Sequence, residues 1–154
     1  MRTFIFLDFD GVLHPDPCRK SDYFCQLHLI EDVLRKKPEV KIVVSSSWRF
    51  DHELERLREF FSPDLRSVVV GVNPVVTRSD GEGWIPRHLL SHHREWECRK
   101  WLRQNHAADA LWVAIDDMPA WFTPNCENLI VTASAVGFQP EQSWQLERLL
   151  EQSP

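Results

Sequence analysis

The chain has 154 residues, 43% of them hydrophobic, 27% charged, and a formal net charge of −5, which suits one domain over 1–154 around a single core and argues against a chain that coats nucleic acid non-specifically, while leaving room for a local basic groove. No apolar run approaches membrane-spanning length, and Cys18, Cys25, Cys98 and Cys126 lack zinc-type spacing. The expectation is therefore a cytoplasmic protein with ordinary thiols and no membrane partner.

Phe4-Ile5-Phe6-Leu7 is an uninterrupted apolar run, as in strands buried on both faces of a parallel sheet. It stops at Asp8-Phe9-Asp10-Gly11, so two carboxylates emerge at the carboxyl edge of a first strand, where open α/β sheets bind ligands. A turn needs one carboxylate, not two, and a charged pair is costly there unless something binds it. Residues 14–26, with Pro15 and Pro17, read as a polar loop, and 27–37 as a helix ending before Pro38. Residues 41–44 form a second buried strand that closes in Ser45-Ser46-Ser47. The spacing of Leu54, Leu57, Phe60 and Phe61 predicts a helix over 51–61. A third strand is expected at 67–72. Residues 73–90, with Pro74, Gly81, Gly83 and Pro86, read as an irregular excursion longer than most connections. A helix over 92–104, a fourth strand over 111–115 ending in Asp116-Asp117, a fifth over 129–131 and an amphipathic helix over 140–150 complete the chain. This alternation predicts an α/β fold: a single doubly wound, Rossmann-like parallel sheet of about five strands with helices on both faces.

A parallel sheet brings three polar strand ends to one edge: Asp8 with Asp10, the serines 45–47, and Asp116 with Asp117. Carboxylates gathered there repel one another unless a hard cation neutralises them, and oxygen-only ligation points to Mg²⁺. A carboxylate can attack phosphorus to give an acyl phosphate, while a second carboxylic acid protonates the leaving oxygen and later activates water. Asp8 and Asp10 match those two tasks.

Over nearly its whole length the chain resembles the haloacid dehalogenase (HAD) superfamily of phosphohydrolases. Asp8-Phe9-Asp10-Gly11-Val12 matches the D-x-D-G-[VT] signature, which implies Asp8 as nucleophile and metal ligand, and Asp10 as general acid/base with its backbone carbonyl facing the metal. The second motif, a Ser or Thr closing the next buried strand, falls on Ser46 as holder of a phosphoryl oxygen, with Ser45 the alternative register. The third, a Lys or Arg at the start of the helix before the fourth strand, falls on Arg94, with Arg99 or Lys100 as alternatives. Val113-Ala114-Ile115-Asp116-Asp117 matches the fourth, implying Asp116 as a direct Mg²⁺ ligand and Asp117 as a direct or water-mediated one. The resemblance implies a Mg²⁺-dependent phosphatase working through an aspartyl phosphate.

Two rivals share parts of this pattern. A signalling receiver domain needs a Lys after its hydroxyl-bearing strand, and no lysine follows Lys100. A catalytically weak HAD-like binding or regulatory domain would have lost motif positions that are all filled here. HAD enzymes commonly insert a cap after the first motif or before the third, but 14–26 and 73–90 are too short for an independent core. A minimal cap implies an open pocket that admits a phosphate carried on a nucleic-acid end or a phosphoprotein; a nucleotide or sugar phosphate is the small-substrate alternative. The compact HAD domains it resembles include some from RNA-repair proteins, and Arg78, Trp84, Arg87 and His88 could contact a strand. Trp48 reads as a core or loop anchor, Trp96, Trp101 and Trp144 as core, His92 and His93 as exposed, non-ligating residues, and 80–83 as a turn.

Overall fold

The computed structural model describes residues 2–77, 79 and 91–152. Arg78, Trp84, Arg87, His88 and the turn expected at 80–83 lie outside the described residues. Strands β1 (Thr3–Leu7), β2 (Val40–Val44), β3 (Val69–Val72), β4 (Leu111–Asp116) and β5 (Leu129–Val131) form one sheet in the order β3-β2-β1-β4-β5. Every pairing in it is parallel. The chain builds outward from β1 to β3, then returns to lay β4 on the other side of β1. The crevice between β1 and β4 is therefore the topological switch point, where ligands of such sheets bind.

Alternation along β1 divides the core. Ile5 and Leu7 face a cluster with Ile30, Val33 and Leu34 of α1 (Leu27–Lys36), Leu57 of α2 (Leu54–Glu59), and Leu146 and Leu150 of α4 (Pro140–Glu151). Phe4 and Phe6 face the opposite side, against Cys98, Trp101 and Leu102 of α3 (His93–Gln104). The right-handed rule for crossovers between parallel strands places α3, between β3 and β4, on that second face. Both faces are covered, which is why the strands read as unbroken apolar runs.

Three expectations shift. The helix expected at 51–61 is reduced to Leu54–Glu59, because Ser46 caps a separate 3-10 turn at Ser47–Phe50 and Glu53 is extended at φ −67°, ψ 157°. The third strand begins at Val69, since Pro63 opens a 3-10 turn through Val68. Trp144 is 74% exposed rather than core. Two residues before Leu146, it lies on the far side of α4 from the Leu146–Leu150 stripe. Trp101 is buried as expected, and Trp96 half-buried.

Candidate active site

The strand register assembles the site. Leu7 stands beside Val44 on one side and Ile115 on the other. The ladder runs one residue further, with the Asp8 N–H donating to the Ile115 carbonyl at 3.1 Å and the Ser45 N–H to that of Leu7 at 2.8 Å. Asp8 and Asp116 thus emerge side by side at the switch point. The Asp8 carboxylate accepts the Phe9 N–H at 2.8 Å. Asp116 Oδ1 accepts the Met118 N–H at 2.9 Å, while its Oδ2 is buried without a hydrogen-bond partner. Asp117 Oδ2 accepts the Ser134 hydroxyl at 2.7 Å. Gly11 makes room for it: at φ +73°, a Cβ there would lie 2.1 Å from Asp117 Oδ2, so any other residue would be strained and would displace that carboxylate. One oxygen each from Asp8, Asp116 and Asp117 lie within 4.8 Å of one another.

Opposite this cluster, Arg94 sits buried in the first turn of α3 with Nε 3.6 Å from Asp116 Oδ2. Its Nη1 donates to Glu97 Oε2 at 3.3 Å. Glu97 Oε1 in turn lies 3.1 Å from Nη2 of buried Arg49, whose Nη1 donates to the Ser46 carbonyl at 2.9 Å. A buried Arg49–Glu97–Arg94 chain therefore ties the serine turn after β2 to the acid that ends β4. Arg99, by contrast, bonds Glu95 through two nitrogens, and Lys100 reaches the Val75 carbonyl. Arg94 is the expected basic residue that the structure brings to the acids.

Burial pushes the Asp8 carboxyl well above its ordinary range, the Asp116 charge pushes it further, and Arg94 opposes both. Burial likewise raises Asp116 from 3.8 to about 7 against the pull of Arg94. Three converging carboxyls, of which Asp8 and Asp116 resist ionisation and Asp116 also keeps an orphaned buried oxygen, are the donor set a hard divalent cation fits. The stability associated with a raised carboxyl pKa is fully present below its unfolded value and lost as pH rises through its folded value. For Asp116 that window runs from 3.8 to about 7. Raising the pH of the metal-free protein from 5 to 8 should therefore lower its unfolding temperature. Mg²⁺ should raise that temperature clearly at pH 8 and little at pH 5, and in Asp116→Ala the gain at pH 8 should shrink. Equal stabilisation by Mg²⁺ at both pH values would remove this cluster as the metal site.

Asp10 stands apart from the three-acid cluster. Its side chain is 39% exposed, and Oδ1 takes two hydrogen bonds, from His14 Nε2 at 2.8 Å and Trp48 Nε1 at 3.0 Å. The Phe24 N–H donates to His14 Nδ1 at 3.2 Å, so the imidazole proton sits on Nε2 and points at Asp10. Both donors fall on Oδ1, and Oδ2 takes neither bond. Trp48, expected as an anchor, is thus bonded directly to an expected catalytic acid, and sequence reasoning passed over His14 altogether.

The serines also divide their tasks. Ser45 Oγ accepts Asn73 Nδ2 at 2.9 Å, and fully buried Ser46 accepts the Trp48 N–H at 3.2 Å. Exposed Ser47, not singled out from sequence, lines the cleft with Asp8, Asp10, Arg94 and Asp117. His92 and His93 are half-buried, and His93 packs on Trp121, which also lies beneath the Arg94 guanidinium at 5.2 Å.

A doubly wound parallel sheet with Asp-x-Asp at the end of its central strand, facing an Asp pair on the strand across the switch point, defines a domain of the HAD superfamily. The chain matches the family described as the HAD domain in Swiss Army Knife RNA repair proteins over residues 4–143, and it belongs to that family. No curated protein and no solved structure matches it. Among the described residues, no helix is long and apolar enough to cross a membrane.

Proposed function

We propose that the domain is a Mg²⁺-dependent phosphatase that hydrolyses a phosphate monoester through an aspartyl phosphate on Asp8. The observation that carries this reading is the convergence of Asp8, Asp116 and Asp117 within 4.8 Å, with Arg94 against them. Asp8, Asp116 and Asp117 would hold Mg²⁺, which when bound supplies the positive charge that keeps these carboxyls ionised and screens the phosphoryl oxygens. The Asp8 carboxylate attacks phosphorus, the bond to the leaving oxygen breaks, and that oxygen takes the proton from Asp10 Oδ2. Asp10, now a carboxylate, removes a proton from water as the water attacks the phosphorus of phospho-Asp8, releasing phosphate and restoring both acids. Arg94 balances charge on the nucleophile and the phosphoryl group.

For the substrate we favour a phosphate on a large carrier, a nucleic-acid end ahead of a phosphoprotein. The family description names RNA repair, and between β1 and α1 the chain inserts one short turn, Lys20–Asp22, rather than a cap. A screen of 3′- and 5′-phosphorylated oligonucleotides, mononucleotides, sugar phosphates and phosphopeptides tests it. A preference of about a hundredfold for a sugar phosphate over every oligonucleotide would overturn the large-substrate reading, since such selectivity demands a shaped enclosure.

The role of Asp10 has its own signature. An acid matters most for a poor leaving group, so Asp10→Asn should lower kcat/KM for alkyl phosphates by about a hundredfold or more and for 4-nitrophenyl phosphate far less. Equal losses on both would reduce Asp10 to a positioning role.

A further inference from the structure

Beside the phosphoryl cleft lies a larger cavity of about 500 Å³, within the range of about 300–1,000 Å³ typical of small-molecule sites. Asp10, Asp16 and Ser47 line both spaces. A group esterified to a phosphoryl at Asp8 therefore emerges past Asp10, the acid that protonates the departing oxygen, into this second space.

Its walls have a different chemistry from the cleft. Tyr23 stands 4.8 Å from His14 and 5.3 Å from Trp48, centroid to centroid, yet remains 38% exposed. His52 lies tilted against Trp48 at 5.5 Å. The carboxylates of Asp16 and Asp51 are exposed at the rim, and no Lys or Arg is among the described lining residues. Aromatic faces favour a flat ring. Carboxylates accept hydrogen bonds from hydroxyl and amino groups, and a carboxylate-lined cavity without Lys or Arg disfavours a second phosphate.

The geometry points to a leaving-group site for a nucleoside: the ring lies against Tyr23 and its hydroxyl or amino donors meet Asp16 and Asp51. This inference rests on the phosphatase reading of the adjoining cleft. The nucleoside can belong to a mononucleotide or to the last residue of a phosphorylated strand, whose next phosphodiester must then lie outside the cavity mouth, away from the two carboxylates. A bare sugar would use the carboxylates but bring only C–H groups, and no π-face, to the aromatic wall.

The test compares phosphate release by the wild type, Tyr23→Ala, Tyr23→Phe and Asp51→Asn. The substrates are adenosine 3′- and 5′-monophosphate, oligoadenylates phosphorylated at either end, glucose 6-phosphate and glycerol phosphate, whose leaving group carries hydroxyls but no ring. Tyr23→Ala should lower the ratio of kcat/KM for nucleotide over glycerol phosphate by about tenfold, mainly through KM, and Tyr23→Phe should restore it. Asp51→Asn should lower the same ratio several-fold. The better adenylate substrate, monomer or oligomer, identifies the source of the nucleoside. A ratio unmoved by Tyr23→Ala, or glucose 6-phosphate preferred over every adenylate, overturns the site. Saturation-transfer NMR with millimolar adenosine separates this failure from that of the phosphatase reading. Adenosine contact in the wild type, lost in Tyr23→Ala, with no ester hydrolysed would sink the phosphatase and keep the cavity. Ester hydrolysis with no adenosine contact would do the reverse.

Discussion

Replacing Asp8 by Asn is expected to abolish phosphate release while making the metal-free fold more stable at pH 8. An amide is no nucleophile toward phosphorus, and loss of a covalent nucleophile costs about ten-thousandfold or more in rate. The opposite sign on stability follows from burial. The Asp8 carboxyl is buried, repelled by Asp116 and held well above its ordinary pKa, so its contribution to stability is present in acid and lost as pH rises through the folded value. Asn carries no charge to lose, and its carbonyl oxygen can still accept the Phe9 N–H that Asp8 accepts at 2.8 Å. The variant should therefore unfold at a higher temperature than the wild type at pH 8 without metal, and the difference should close toward pH 4. Near-wild-type turnover in Mg²⁺ would show that another residue is the nucleophile.

Arg94→Ala should fail in both respects. The change removes a buried cation from between Glu97 and Asp116, and breaking a buried ion pair by deleting one partner costs about 3–5 kcal/mol. In the proposed reaction it also removes the charge that balances the phosphoryl group, for an expected loss of about a hundredfold to a thousandfold in kcat. Arg94→Lys keeps one positive charge but cannot serve Glu97 and Asp116 together, so it should retain more activity than alanine and less than arginine. Arg99→Ala is the matched control, because Arg99 is 41% exposed and pairs with Glu95; its rate should stay close to wild type. If Arg94→Ala matched wild-type rates, Arg49 would become the candidate for charge balance.

The order of strands and the two acid pairs were legible because each depends on a few adjacent residues. Four apolar side chains ending in Asp8, and Val113 to Ile115 ending in Asp116, announce buried parallel strands and their carboxyl ends without help from the rest of the chain. Arg94 was reachable from its place in the first turn of a helix. The Arg49–Glu97 link was not, since it joins a turn after β2 to the middle of α3 and leaves no local pattern. The two donors on Asp10 were hidden for a similar reason: His14 is aimed by the Phe24 N–H, and Trp48 reaches Asp10 across 38 residues of chain. Among the serines, a shared residue type concealed that two hydroxyls are buried, Ser46 bonded to the nearby Trp48 N–H and Ser45 to Asn73 28 residues away, while Ser47 faces the cleft. Trp144 has the size and apolarity of a core residue, but its helical position sets it opposite the buried stripe of Leu146 and Leu150.

The most direct test of the central claim is to trap the covalent intermediate. In Asp10→Asn, an aryl phosphate needs little acid assistance to phosphorylate Asp8, but hydrolysis of the acyl phosphate lacks its base, so the intermediate should accumulate. With ³²P-labelled aryl phosphate and Mg²⁺, acid quenching should leave label on the protein that hydroxylamine releases, that maps to Asp8, and that is absent from Asp8→Asn. Turnover of the aryl phosphate by Asp10→Asn with no protein-bound label at any time, or with label on another residue, would contradict it.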